Sequence, residues 1–291
     1  MSIQTLLHTY RDYPQEVTIE TTGRCNARCI FCPHHTLERK NLEMSDEMFR
    51  MIVDQLKAIP PAHRFWISPF KVNEPLMDRQ IFSRVAHINA CLPHADIRLF
   101  SNFHLAADAD IEQICRIQNL SDIDISLNSL DPEEYETLMG LDLEKTLKNI
   151  FALLEYIRKN GIQMRREKIV LSRVAQDAQS DQRYARAFWE VFRDYADLVA
   201  PLTIPRQEWI DFQPTEAPLH QDQPCPRWAN INICCDGSVA FCCMDGRGAF
   251  PWGNVLESGV LAIYNQPEYR RLRIECPNKS QVTPCDRCSL G

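Results

Sequence analysis

The sequence predicts an α/β fold with a parallel sheet, followed by a small α+β region rich in cysteine. From residue 17 to about 212, short β-branched runs alternate with amphipathic helical stretches. Strands joined by helices of that length pair in parallel as βαβ units. After residue 224 the pattern shifts to short strands around Asp236-Gly237, a hairpin signal. That last part holds eight of the thirteen cysteines.

The elements follow in order. Val17-Thr-Ile-Glu-Thr-Thr22 alternates and is β-branched, so it reads as the first strand. Ser45 is placed to cap a helix running to about Ala58, with acids in its first turn and Met48, Ile52 and Leu56 on one face. Arg64–Phe70 is the second strand, before a helix near 78–90, and Ala95–Ser101 is the third, before a helix near 108–117. Asp122–Asn128 is the fourth strand. A short helix after Pro132 follows, then a longer one over about 143–159, ended by Asn160-Gly161. Lys168–Arg173 is the fifth strand, a helix runs on to about Tyr195, and a sixth strand is expected near Glu208–Phe212. Residues 213–224, rich in Pro, Gln and acids, read as a linker. Beyond it, a helical stretch near 257–275 precedes a terminal cysteine pair. The expected division is therefore a domain over 1–212, the linker, and a second domain over 225–291. Six βα units suit either a partial (β/α)6 barrel or a doubly wound sheet.

Composition narrows the function. A net charge of −7 gives no basic face to neutralise phosphates, so a nucleic-acid partner is not expected. The N-terminus lacks a basic region followed by an apolar one, and no apolar run approaches the ~18 residues of a membrane span. The expectation is a cytoplasmic chain with no membrane partner, where clustered cysteines bind metal more often than they form disulfides. No phosphate-binding glycine loop is present.

The chemistry centres on Cys25-Asn-Ala-Arg-Cys29-Ile-Phe-Cys32, which follows the first strand, at the end where α/β folds place their sites. Three thiolates at these gaps can converge from one loop, and thiolate is the ligand of iron–sulfur clusters. A four-iron cluster held by three cysteines keeps one iron open. A closed zinc site completed by His34 or His35 is the alternative. The second constellation is Cys225, Cys243, Cys285 and Cys288; Cys225 and Cys243 bracket the hairpin, and its closure would gather all four. Structural zinc suits that ligand set too.

Cys25-x3-Cys29-x2-Cys32, with the aromatic Phe31 before the last cysteine, resembles the signature of the radical S-adenosylmethionine (SAM) enzymes. The resemblance implies a partial (β/α)6 barrel and a 4Fe–4S cluster whose open iron binds SAM. It also implies an electron donor such as flavodoxin or ferredoxin, and reductive cleavage of SAM to a 5′-deoxyadenosyl radical. Glu74-Pro75 matches the end of the family's Gly-Gly-Glu-Pro motif, with Val72-Asn73 in place of the glycines. Ser101-Asn102 is similar to its Thr-Asn-Gly, with Phe103 replacing glycine. Phe31, Glu74, Asn102, Ser126, Asn128 and Arg173 are thereby candidate SAM-binding residues. Cys225-Pro…Asp236-Gly…Cys242-Cys243…Gly253-Asn254…Arg273…Cys285-x2-Cys288 resembles the SPASM/twitch extensions, which hold auxiliary 4Fe–4S clusters. Four ligands favour the single-cluster twitch form.

The spacing is most similar to small twitch dehydrogenases acting on aminocyclitols. The implied substrate is a small hydroxylated or amino compound, oxidised with help from the auxiliary cluster. A redox-neutral epimerase returning hydrogen from Cys276, or radical modification of a short peptide, is the alternative. Cys91, Cys115, Cys234, Cys235 and Cys242 read as packed thiols. Arg206, Glu208, Trp209 and Asp211 are possible substrate contacts.

Overall fold

The computed structural model describes residues 1–163, 169–206, 209, 210, 212 and 221–289. It begins with a helix the sequence reading missed, α1 (Ile3–Thr9), capped by Ser2, whose Oγ accepts from the Thr5 amide at 3.2 Å. Only Leu7 of its seven residues is buried, too little for a helical period to register. β1 (Glu16–Ile19) is shorter than expected and wholly buried; Thr22 instead bridges to Glu43. In α2 (Asp46–Leu56), Ser45 caps the Met48 amide at 3.1 Å, and Phe49, Ile52, Val53 and Leu56 face the core. A cap of this kind contributes about 1 kcal/mol.

β2 (Phe65–Ser68), α3 (Ile81–Cys91), β3 (Ala95–Ser101), α4 (Asp108–Cys115) and β4 (Leu120–Ser126) continue the alternation. α5 (Pro132–Met139) and α6 (Leu143–Asn160) are capped by Asp131 and Asp142, and end at Gly140 and Gly161, both left-handed. β5 (Ile169–Val174), α7 (Ala178–Val191) and β6 (Val199–Ile204) complete the series.

The sixth strand is thus misplaced in the sequence reading. Pro201 argues against a strand at 199–204, but β6 lies at the edge of the sheet, where a missing N–H costs no pairing. Ile210 and Phe212 lie in turns, and Glu208 and Asp211 fall outside the described residues, as do Lys168 and most of the expected linker.

In the C-terminal part, β7 (Asn230–Ile233) and β8 (Ser238–Ala240) form the expected hairpin, with Gly237 at φ +84° in its turn. β9 (Gly253–Asn254) precedes three helices, α8 (Val255–Ser258), α9 (Val260–Tyr264) and α10 (Pro267–Glu275), where one helical stretch was expected. Gly259, at φ +76°, separates the first two.

All nine strands share one open sheet in the order β6-β5-β4-β3-β2-β1-β7-β8-β9. From β1 to β6 the order never reverses and every pair is parallel. A doubly wound sheet reverses at a switch point, so the strands form the partial barrel of the alternatives above. β7 pairs in parallel with β1, Val17 opposite Ile231, and the C-terminal hairpin therefore extends the same sheet. Among the described residues no helix is long and apolar enough to cross a membrane.

Candidate active site

The C-terminal ends of β1 to β6 surround a cavity of about 310 Å³. Cys25, Cys29 and Cys32 line one side, and the loop carrying them is anchored by backbone bonds. Arg28 and Ile30 amides donate to the Met139 and Leu138 carbonyls at the end of α5, at 2.8 and 3.0 Å. Helix ends leave such carbonyls free, so α5 serves as a dock for the loop. Gly140 makes the close approach possible: a Cβ there would stand 3.3 Å from the Arg28 Cβ in a left-handed conformation. Arg24 O accepts from the Glu74 amide at 2.9 Å, and Asn26 Oδ1 from Asn102 Nδ2 at 2.9 Å, tying the loop to the ends of β2 and β3.

The candidate SAM residues collect here. Glu74 is buried, and its carboxylate accepts from Ser101 Oγ (2.7 Å), the Asn102 amide (2.7 Å) and the Leu76 amide (3.1 Å). Burial pushes its pKa up, against those bonds. Phe103, standing where the family has glycine, keeps the left-handed backbone at φ +58° and is fully buried. Asn73 Oδ1 caps the Lys71 amide at 2.9 Å where the family has glycine. Asn128 Oδ1 holds the Val174 amide at 2.7 Å.

Arg173 is 1 % exposed, pairs with Asp181 at 2.9 Å, and stacks over Tyr184. Its Nε and Nη1 are buried without a hydrogen-bond partner, an unmet demand that an anionic ligand group could meet. Phe31, Ser126 and Asn128 also line the cavity.

The thiols test the metal. Burial, then the Glu74 carboxylate, pushes Cys25 to about 12; burial pushes Cys32 to about 11; burial, then Cys32 and Cys25, pushes Cys29 well above the ordinary range. Among the described residues, the one triple of ligand atoms all within 4.8 Å of one another is Asp54, His87 and Cys91. There the exposed Asp54 carboxylate is already paired with Lys57 at 2.6 Å. No three thiols of either constellation come that close. His34 Nε2 bonds the Gly23 carbonyl at 2.8 Å, and His35 packs on Phe212.

Cys225, Cys243, Cys285 and Cys288 come together as the sequence predicts, with a fifth thiol. Cys242 is pushed well up by burial, then by Cys243, Cys225, Cys285 and Cys288. Cys225 and Cys285 are each pushed to about 12, chiefly by burial. Arg227 is held above its ordinary value chiefly by Cys243.

Cys276 is not brought to the cavity. It ends α10, packed beside α1, where its Sγ lies 3.9 Å from His8 Nε2 and 3.5 Å from the Arg273 carbonyl. Trp209 lines the cavity, while Arg206 is not among its lining residues.

The sequence reading missed Asp124, Met244 and the stacked pair Phe70–Phe100, all lining the cavity. Period-two alternation puts Asp124 on the face of Ser126, a signal that could have found it. Its Oδ1 accepts from Ser172 Oγ at 2.5 Å, and burial raises its pKa. Met244 adjoins Cys243, so one peptide bond links the cavity wall to the second constellation.

Comparisons with known proteins agree with this geometry. The family model of the Radical SAM superfamily matches residues 19–167, and that of the SPASM iron-sulfur cluster-binding domain matches residues 225–289. The chain belongs to the radical SAM superfamily. Its cofactors are SAM and two 4Fe–4S clusters. A curated relative, the "Probable GTP 3',8-cyclase" of Methanothermobacter marburgensis, is 28% identical over 132 residues, 45% of this chain and 40% of that protein. The match thus spans well under half of that relative. Among solved structures, BtrN in complex with AdoMet and 2-DOIA has a TM-score of 0.63 at 15% identity, covering 95% of this chain and 93% of that one. Streptococcus suis SuiB bound to precursor peptide SuiA has 0.62 at 14%, covering 96% and 70%. At these identities the likeness is one of fold.

Proposed function

We propose that the enzyme oxidises a small hydroxylated or amino compound, sugar- or aminocyclitol-like, by hydrogen-atom abstraction from carbon. When bound, SAM and the two clusters supply reductive cleavage to a 5′-deoxyadenosyl radical, the abstraction, and uptake of the second electron. Cys25, Cys29 and Cys32 hold the SAM-binding cluster; Cys225, Cys243, Cys285 and Cys288 hold the auxiliary one. Arg173 takes the SAM carboxylate, while Glu74 and Asn102 shape the wall beside it. Asp124, buried and steadied by Ser172, takes the proton that the hydroxyl or ammonium of the substrate must lose as its carbon is oxidised. Phe70 and Phe100 exclude water from that end of the cavity.

The observation that supports the oxidative reading is that Met244 lines the cavity and directly follows Cys243, a proposed ligand of the electron-accepting cluster. Epimerisation through Cys276 draws no support from that thiol's position.

Reconstituted enzyme with SAM and dithionite is tested on 2-DOIA, the compound bound in the BtrN structure, and on other aminocyclitols and polyols. The expected result is substrate-dependent 5′-deoxyadenosine with a carbonyl or imine product. Activity should rise with pH through a value above the usual carboxylate range, because Asp124 accepts only when ionised and burial raises its pKa. Asp124→Asn should abolish that rise and cut turnover about a hundredfold, within the range of one general base. Turnover on a short peptide alone would overturn the small-molecule reading.

A further inference from the structure

Lys71 follows β2, lines the cavity, and is 4 % exposed. Its ammonium donates to the carbonyls of Asp245 (2.6 Å) and Gly246 (3.4 Å), and among the described residues it forms no ion pair. A buried charge is ordinarily paired or sits beside a metal centre. Arg39 shows the contrast within the same network. It grips the Gly246 and Arg247 carbonyls at 2.6 and 2.8 Å, but its charge is met by Glu20, bonded at 2.5 and 3.1 Å. Among the described residues Lys71 has no such carboxylate. Its field reaches two thiols instead, Cys32 and Cys234.

The segment it holds leaves Cys243 within three residues. Gly246 is wedged against Pro33, the residue after Cys32: a Cβ on Gly246 would stand 2.7 Å from the Pro33 Cγ and 2.8 Å from Trp209 Cε3. The loops leaving the two constellations therefore touch, and Lys71 reaches across the contact.

We propose that Lys71 is the buried counter-ion of the SAM-binding cluster, fixed in place by the loop that leaves Cys243, and that it raises that cluster's reduction potential. Reduction adds one negative charge, and a cation at short range in a low-dielectric site stabilises the reduced form. The electron comes from the external donor, here dithionite. The proposal rests on the cluster assignment at Cys25, Cys29 and Cys32.

The test is a redox titration of the reconstituted holoenzyme followed by EPR, in which the signal perturbed by SAM identifies the SAM-binding cluster. Lys71→Gln keeps donors for the two carbonyls and removes the charge; Lys71→Arg keeps the charge. The glutamine variant should shift the one-electron equilibrium against reduction about tenfold, about 59 mV more negative, with the arginine variant within threefold of wild type. Iron content and SAM affinity are measured alongside. An unchanged midpoint in Lys71→Gln at full iron content overturns the proposal, as does a shift in Lys71→Arg equal to that in Lys71→Gln. Weaker SAM binding with an unchanged midpoint would make the lysine a SAM ligand and also overturns it. Should Lys71→Gln fail to hold its clusters, the midpoint of Lys71→Arg decides: it stays near wild type if charge is what matters. Wild type lacking any SAM-perturbed signal would instead break the cluster assignment itself.

Discussion

Cys25, Cys29 and Cys32 are all partly exposed along one wall of a cavity, on a loop held by its backbone to the end of α5. Cys225, Cys285 and Cys288, with the fifth thiol Cys242, are buried in the hydrophobic core that also contains β1, β2 and β7, and Cys243 is half-buried against it. Three thiols on an open wall leave one side of a cluster free for a ligand. Four thiols around one cluster, most of them inside a core, leave none, and suit a centre that only exchanges electrons. The difference follows from topology. The first loop emerges at the C-terminal edge of a parallel sheet, where α/β folds open, while β7 packs the second group along the flank of β1.

The largest expected effect breaks the open side. Cys29→Ala should abolish 5′-deoxyadenosine formation and lower iron from about eight to about four atoms per chain, the content of one 4Fe–4S cluster. Product analysis with dithionite and an iron assay check it. Retained SAM cleavage would mean that the cavity wall is not the reactive centre.

A smaller effect sharpens the closed side, where five thiols compete for four places. Cys243→Ala should remove the auxiliary cluster, leave uncoupled SAM cleavage within about threefold of wild type, and stop product release of the oxidised compound. Cys242→Ala should keep about eight irons, because Cys243 is the thiol whose neighbour reaches the cavity. The reverse pattern would give the ligand place to Cys242.

How far the sequence revealed this comparison depended on how local each signal was. The Cys25–Cys32 loop and the Asp236-Gly237 turn are contiguous motifs and stood out at once. Capped helices were legible for the same reason, α2 through its Ser45 start and α6 through its Asn160-Gly161 stop. β6 was not, because its Pro201 is tolerated only by an edge position that sequence cannot reveal. The union of the C-terminal hairpin with β1 is a contact across some two hundred residues, with no local trace. At the site, Glu74 and Arg173 were named through the family resemblance at strand ends, and both line the cavity. Lys71 was passed over because its burial, with no carboxylate partner among the described residues, is a property of the folded interior alone.

The smallest expected effect concerns a thiol that belongs to neither constellation. Cys276 has a left-handed backbone at φ +48° at the end of α10, with its Sγ near His8 and the Arg273 carbonyl. A hydrogen donor to a substrate radical must reach the radical carbon within the cavity, and α10 packs against α1, outside it. Cys276→Ala should therefore leave SAM cleavage and substrate oxidation within about twofold of wild type. The relevant measurement is product stereochemistry in D2O. Solvent deuterium appearing at an inverted carbon in wild type, and lost in Cys276→Ala, would mean that the end of α10 reaches the cavity during turnover. The division between an open centre for radical chemistry and a closed one for electrons would then need a third thiol site.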